Sequence, residues 1–440
     1  MSSPSGSAIA TVARTRRLAH WQVLTVSLLV TGYTGYYLCR SNLSVAMPLI
    51  IAEMTRRGVN ADAARIVLGS IASLGVFAYA IGKFPSGGLA DYLGGRRNFL
   101  FGMAGSIVFT LLFAASGAVP VFTLAWMGNR LVQSLGWAGM VKIASKWTPF
   151  QRYGTVMAII SLSFLFGDAV VRQFMALLIG QGLGWRSVFV VDAAVLAVVL
   201  VACICLLRES PSEIGEPEPP ANPANLFGGE EASAKPQSPG ALLRPLLRSR
   251  VFQVACALSL GITILRETFN LWTPTYLTQA VGMTAAGAAS SSALFSFFGG
   301  TSVILCGMLS DRLGRGGRAA LMFYGLTLAS VALLVPGFDL MHGSRMLPLV
   351  FIGVIGFLII GPYSFLAGAV ALDFGGKRGS GTSSGIIDGI GYLGGVVSGD
   401  TVARVSVQFG WNGAFLALAG IAALSSVAAG VFLLHERRRA

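Results

Sequence analysis

Two arginines lie near the middle of otherwise apolar stretches: Arg40 in GYTGYYLCRSNLSVAMPLI and Arg266 in SLGITILRETFNLWTPTYL. A guanidinium at the centre of a bilayer costs roughly 2.5–3.5 kcal/mol on insertion scales, so a chain keeps two only where they face protein or water and meet a partner. Guanidinium is planar, permanently charged and forked. Two of them can grip the oxygens of one phosphate through several charge-assisted hydrogen bonds, with more geometric selectivity than an ammonium offers. A carboxylate or sulfate fits the same fork. Either arginine could instead be neutralised internally, Arg266 by Glu267 or by an acidic residue of the eleventh span, although adjacent residues of a helix do not face each other.

Other charges fall in apolar stretches as well. Asp168 and Arg172 are four residues apart, as are Asp400 and Arg404, so each pair can meet on one helix face. Internal neutralisation that eases insertion is one reading of these pairs; switches lining a cavity or its outer gate is the other. Asp388, in GIIDG, has no such local partner and is a candidate for contact with Arg266, Lys83 or substrate hydroxyls, while Asp192 has no assigned role. His20, His342 and His435 all lie at ends or in loops, so none is a relay for protons in mid-membrane. The spacing supplies no Ser/His/Asp, Cys/His, metal-ligand or phosphate-loop constellation, which argues against an enzyme and against a metal or cofactor. The five cysteines lie within or at the ends of spans and form no disulfide framework.

The elements that must hold these residues follow from hydropathy. Hydrophobic residues make up 54% of the 440 and charged residues 11%, and apolar segments repeatedly exceed the roughly 18 to 20 residues that cross a bilayer. The expected spans are 21–50, 66–92, 97–118, 120–146, 152–181, 185–207, 250–280, 284–310, 319–338, 346–373, 381–409 and 412–434. Cations such as Arg16, Arg17, Arg96, Arg97, Lys146, Arg152, Arg208, Arg248, Arg312, Arg315, Arg318 and Lys377 fall on one side of these spans, which places both termini in the cytoplasm. The same rule accounts for the formal charge of +14 without nucleic acid. The apolar run after Trp21 is too long for a signal-peptide core, so residues 1–20 read as a cytoplasmic tail. Residues 208–249, rich in proline, glutamate, serine and alanine, read as a cytoplasmic linker between a bundle at 21–207 and another at 250–434, with 435–440 a second tail.

Internal repetition supports that division. GGLADYLGGRRN around Asp91 recurs as GMLSDRLGRGGR around Asp311, about 220 residues later, a duplication of a domain rather than a solenoid period. In each copy the glycines permit a tight turn, and the aspartate can cap a helix or pair with Arg96 and Arg97 in the first, Arg312 and Arg315 in the second, stabilising a gate. GYLGGVVSG lets helices approach closely, and Pro48, Pro274 and Pro362 bend spans that line a changing cavity.

These paired Asp-x-x-Gly loops resemble those of the major facilitator superfamily. YYLCRSNLSVAMP, GKFPSGGLAD, QSLGW, LRETFNLWTPTYL, GFLIIGP and GIIDGIGYLGGVVSG, in that order and over nearly the whole chain, resemble its organophosphate:phosphate antiporter family. The resemblance implies an all-α membrane protein of twelve transmembrane helices in two pseudo-symmetric six-helix bundles, working as a monomer. It implies exchange of a sugar or polyol phosphate for inorganic phosphate by alternating access. The short loops, the cytoplasmic linker and the lack of a targeting segment point to a bacterial inner membrane, with a eukaryotic organelle as the alternative. Arg40 and Arg266 match the family's two phosphate-binding arginines, Lys83 matches a cavity lysine, and Tyr33, Tyr36, Tyr37 and Trp137 fall at positions that look like cavity lining. Ser41 stands where the family often has lysine, and Ser163 where the glycerol-phosphate carriers have histidine. Both departures lower the positive charge and point towards a larger polyol phosphate held partly through Asp388 and Ser163. Two alternatives stay open: a sugar-phosphate sensor of the same family, and a proton-coupled carrier of a non-phosphorylated anion working through Asp168 or Asp388.

Overall fold

The computed structural model describes residues 5–148, 153–217, 246–313, 316–341, 343–366 and 370–438, with side chains except at 5–15, 87–88, 90–93, 145, 153–155, 157–158, 311, 371–384 and 438. Arg315 and the side chains of Asp91 and Asp311 therefore lie outside the described residues, as does most of the polar linker. Apart from one short 3-10 turn at Pro211–Ile214, the regular elements are α-helices: α1 Ser5–Arg56, α2 Ala61–Leu93, α3 Gly95–Ala115, α4 Val119–Trp147, α5 Tyr153–Gly180, α6 Trp185–Leu206, α7 Arg250–Gln279, α8 Ala285–Leu313, α9 Gly317–Gly337, α10 Met346–Phe365 and α11 Ala371–Arg438. In lipid a helix satisfies its own backbone groups, which is why apolar segments of this length settle into helices.

Two differences from the hydropathy reading have physical causes. Helix α1 begins at Ser5, so the stretch expected as a tail is helical from that residue on. The eleventh and twelfth spans form one helical run of 68 residues, α11. Gly410, at φ +71°, turns the chain back inside it: Gly391 and, after the turn, Ser425 lie respectively against Ser259 and Gly261 of α7. Glycine tolerates that left-handed geometry where other residues are strained. The repeated loops use the same device, with Gly94 at φ +89° between α2 and α3 and Gly316 at φ +80° between α8 and α9.

Among the described residues nine stretches are long and apolar enough to cross a membrane, and the last, Gly385–Arg437, has the length for two crossings. Helices α1 and α4 are not among the nine; they carry the polar residues that turn inward, Arg40, Ser41, Asn42 and Ser44 on one and Asn129, Arg130, Gln133 and Ser134 on the other. The outer faces are apolar and exposed, as at Phe101, Leu124, Val198 and Leu424, which suits contact with lipid.

Helices α1–α6 and α7–α11 meet mainly on the side away from the linker. There Ser44 Oγ donates to the carbonyls of Asn270 and Leu271 at 2.7 and 2.8 Å, Asp400 N–H donates to Ser73 Oγ at 2.9 Å, and Gln173 Nε2 donates to the Ser290 carbonyl at 3.0 Å. Gly69 and Gly399 let the backbones of α2 and α11 touch, so a side chain at either would force the halves apart.

Candidate functional site

A cavity of about 90 Å³, partly continuous with open space, lies between the halves. Helix α1 gives it Tyr37, Arg40, Ser41 and Ser44, a stripe at helical spacing on one face. Helix α4 contributes Trp126 and Arg130, α5 Asp168 and Arg172, and α7 Arg266, Glu267 and Asn270. The two arginines singled out by sequence thus line one space from opposite halves. Lining charges are four guanidiniums against two carboxylates, a formal excess of two positive charges.

The guanidiniums differ in how they are held. Arg172 Nε donates to Asp168 at 2.9 Å, and its other nitrogens reach Ser292 Oγ and the Asn270 carbonyl at 3.0 Å each. Asp168 also accepts from the hydroxyls of Ser41 and Ser296, so this pair ties α5 to α1, α7 and α8. Arg266 donates to Glu267 and to Tyr392 Oη, the latter at 3.1 Å, and lies 4.3 Å from the Tyr363 ring centre. Sequence reasoning disfavoured the Arg266–Glu267 pair because neighbours on a helix diverge. Both side chains are long enough to curl back into the same enclosed space, where a charge gains from any partner within reach. Among the described residues Arg40 makes one long hydrogen bond, 3.5 Å from Nη1 to Tyr79 Oη, and lies over the rings of Tyr37 and Tyr79, 5.2 and 4.6 Å from their centres. Among the described residues no carboxylate bonds Arg40 or Arg130.

On the linker side of the cavity, Lys83 of α2 and Asp388 of α11 form an ion pair of 3.2 Å across the halves. Tyr79 and Tyr392, one turn away on the same two helices, have ring centres 5.0 Å apart. This layer narrows the cavity on that side and joins two residues 305 apart in sequence.

Several expected lining residues lie elsewhere. Tyr33 and Tyr36 are buried inside the first half and do not line the cavity; Tyr33 sits one turn from Tyr37 on the same face of α1, ring centres 5.9 Å apart. Tyr36 Oη donates to the Phe99 carbonyl, and Tyr33 packs against Trp137 with centres 5.5 Å apart. Trp137 in turn meets Phe164, so it supports the wall from behind. Ser163 is buried with its hydroxyl on the Ile160 carbonyl and does not line the cavity. The pair Asp400–Arg404 forms, Nε to Oδ2 2.7 Å, but at the outer contact between α2 and α11, where Asp400 also accepts from Ser70. Asp192 is wholly buried in α6 with neither carboxylate oxygen bonded to a described residue.

Of the gate residues, Arg97 and Arg312 are exposed, whereas the Arg96 guanidinium donates to the Ile204 carbonyl at 2.6 Å and its backbone N–H to a carboxylate that sequence reasoning missed. Glu209, just past α6, accepts the backbone N–H groups of Gly95 and Arg96 at 3.0 and 2.6 Å and the Lys146 ammonium at 2.9 Å. Burial pushes this carboxyl up, but those three donors outweigh it and hold it below the usual glutamate range. Sequence reasoning also passed over Arg130, Tyr79 and Tyr363. The rule that picked out Arg40 and Arg266 would have found Arg130, a cation inside TLAWMGNRLVQSLGW. Among the described residues no group of three or more His, Cys, Asp or Glu side chains could hold a metal ion.

The family model for the Major Facilitator Superfamily matches residues 29–399. The glycerol-3-phosphate transporter of Bacillus subtilis is 26% identical over 396 residues, covering 88% of this chain and 86% of that one. A probable hexose phosphate transport protein of Chlamydia pneumoniae is 26% identical over 422 residues, covering 93% and 90%. Among solved structures, a bacterial homologue of the human lysosomal transporter Spinster, inward-facing and unoccupied, superposes with a TM-score of 0.74 at 14% identity, covering 95% of this chain and 97% of that chain.

Proposed function

Since this chain belongs to the Major Facilitator Superfamily, a superfamily of transporters rather than enzymes, we propose that it exchanges a phosphorylated organic metabolite, a sugar or polyol phosphate, for inorganic phosphate by alternating access. The observation that carries the reading is the cavity between the halves, lined by Arg40 and Arg266 and holding an excess of two positive charges. Relatives named for transport of glycerol 3-phosphate and of hexose phosphate support the same ligand class.

The cavity's charge gives exchange a physical basis. Unpaired guanidiniums in an enclosed space repel one another and lack solvation, so closure of the empty cavity on both sides is unfavourable. A phosphate dianion offsets both costs, and inorganic phosphate and a monoester present the same oxygens, so either permits the halves, 21–207 and 250–434, to rock about the site. Lys83–Asp388 and Tyr79–Tyr392 would part when the cavity opens towards the linker, and the contacts of Ser44, Ser73 and Gln173 when it opens the other way. With the cation-rich loops inside, both termini and the linker are cytoplasmic and the membrane is the bacterial inner membrane.

The test is counterflow in proteoliposomes of the native chain. Labelled glycerol phosphate or hexose 6-phosphate should enter vesicles loaded with phosphate at least tenfold faster than vesicles loaded with sulfate-free, phosphate-free buffer. Equal entry into both would contradict obligatory exchange, and pH-driven entry of a non-phosphorylated acid would favour a proton-coupled carrier.

A further inference from the structure

We infer, on the reading of the cavity as a phosphate-ester site, that Glu267 limits how much negative charge a substrate can carry. It admits phosphate esters of neutral polyols and sugars and turns away phosphorylated acids, whose carboxylate is a third negative charge.

Glu267 follows Arg266 on α7 and lines the same cavity as Arg40 and Arg266. One carboxylate oxygen accepts from Arg266 Nη2, and the other accepts from no described residue. Its charge also acts on Arg130 and Arg40, so three guanidiniums share it. Arg266 stays available to a phosphoryl group: both of its hydrogen bonds to described side chains, to Glu267 and Tyr392, leave from Nη2, and its buried Nε is unbonded. Packing holds Glu267 in place. A Cβ on Gly395 of α11 would lie 3.1 Å from the Glu267 Cγ and 3.4 Å from a Val76 methyl of α2, so the stem runs close along the α11 backbone with little room to swing out of the cavity.

The charges of the loaded cavity then close. Four guanidiniums and two carboxylates line it and the neighbouring Lys83–Asp388 pair is neutral, which leaves the excess of two positive charges that a doubly ionised phosphoryl group balances. A phosphorylated acid overshoots by one. Of the two lining carboxylates, Asp168 is already taken up by Arg172 and the hydroxyls of Ser41 and Ser296, so Glu267 is the one that repels a further anion. Asn270, one turn along α7 and also lining the cavity, sets an amide beside it, and an amide with a carboxylate suits hydroxyl groups on the organic part. Two unit charges about 6–10 Å apart at an effective dielectric near 20 change binding about ten- to a hundredfold.

The experiment is inhibition of labelled-phosphate exchange in proteoliposomes by glycerol 3-phosphate and by 3-phosphoglycerate, which share a three-carbon skeleton and differ in an alcohol against a carboxylate. At pH 7.5 both phosphoryl groups carry close to two charges. The native chain should prefer glycerol 3-phosphate by about tenfold or more, and Glu267→Gln, which keeps an acceptor for Arg266 without the charge, should lose about ten- to a hundredfold of that preference. Glu267→Asp, which keeps the charge, should keep the native order. A native chain that takes both esters equally, or an unchanged ratio in Glu267→Gln, would overturn the charge limit while leaving phosphate exchange in place; so would a preference lost equally in Glu267→Asp, which would assign the effect to shape. Absence of phosphate exchange in the native chain would overturn the reading beneath it. If Glu267→Gln exchanges too slowly to measure, the shifts of its melting temperature by the two esters in detergent replace inhibition, and shifts in the native ratio overturn the inference.

Discussion

Replacing Asp168 by asparagine removes one charge from an ion pair enclosed in the cavity wall and leaves its shape almost unchanged. The side chains of Arg172 and Asp168 are 3% and 5% exposed, and their contact is 2.9 Å. Removing one partner of such a pair costs about 3–5 kcal/mol, because the remaining charge stays buried without compensation, whereas removing both at similar volume costs far less. With an unfolding entropy near 2 cal/mol/K per residue, a chain of 440 residues melting as one unit changes by about 0.9 kcal/mol per degree, so the melting temperature should fall by about 3–5 °C. Arg172→Gln alone should give a fall of similar size. The double substitution Asp168→Asn with Arg172→Gln should recover at least half of either loss, since amides can still meet Ser41, Ser296 and Ser292. Thermal unfolding in detergent, followed by tryptophan emission, reads all four chains. If the double variant melts at or below the sum of the two single losses, the pair is not coupled and the account of this wall is wrong.

The Lys83–Asp388 pair, about a fifth exposed on each side, bridges the halves towards the linker. Lys83→Asp or Asp388→Lys alone should raise labelling of a cysteine placed in the cavity, from the linker side, by roughly fivefold, about 1 kcal/mol, and the exchanged pair should restore it; no restoration would argue against a gate. Glu209 has a folded-state carboxyl held below its unfolded value. Its contribution is therefore complete above the usual glutamate range, near 4.3, and is lost as pH falls through the lower folded value. Glu209→Gln should lower the melting temperature at pH 7 and remove that acid-dependent part, and an unchanged acid profile would show that the carboxylate does not hold the start of α3.

What the sequence made legible depended on range. Arg40 and Arg266 stand out because a charge in an apolar run is costly wherever the run packs, and Asp168–Arg172 and Asp400–Arg404 because four residues make one turn. Spans were legible from hydropathy, and the glycines at 94 and 316 from their repeat. How far along α1 the cavity runs was not: Tyr33, Tyr36 and Tyr37 are all polar-tipped aromatics, and only packing closes the space at the first two, Tyr36 against Phe99 and Tyr33 against Trp137. Partners far apart in sequence, such as Lys83 with Asp388 or Glu209 with Arg96, are set by tertiary contact and carry no local signal. Arg130 was visible by the same criterion as Arg40, but the polar residues around it, Asn129, Gln133 and Ser134, lower the contrast with its surroundings.

The central claim is that the cavity binds phosphate and carries it across the membrane. Its most direct test is labelled-phosphate exchange in proteoliposomes loaded with unlabelled phosphate, comparing the native chain with Arg40→Gln. The account predicts saturable exchange in the native chain, inhibited by a sugar or polyol phosphate, and at least a hundredfold loss in a folded Arg40→Gln variant. A folded native chain that exchanges no phosphate, or a variant that exchanges it at the native rate, would contradict the account.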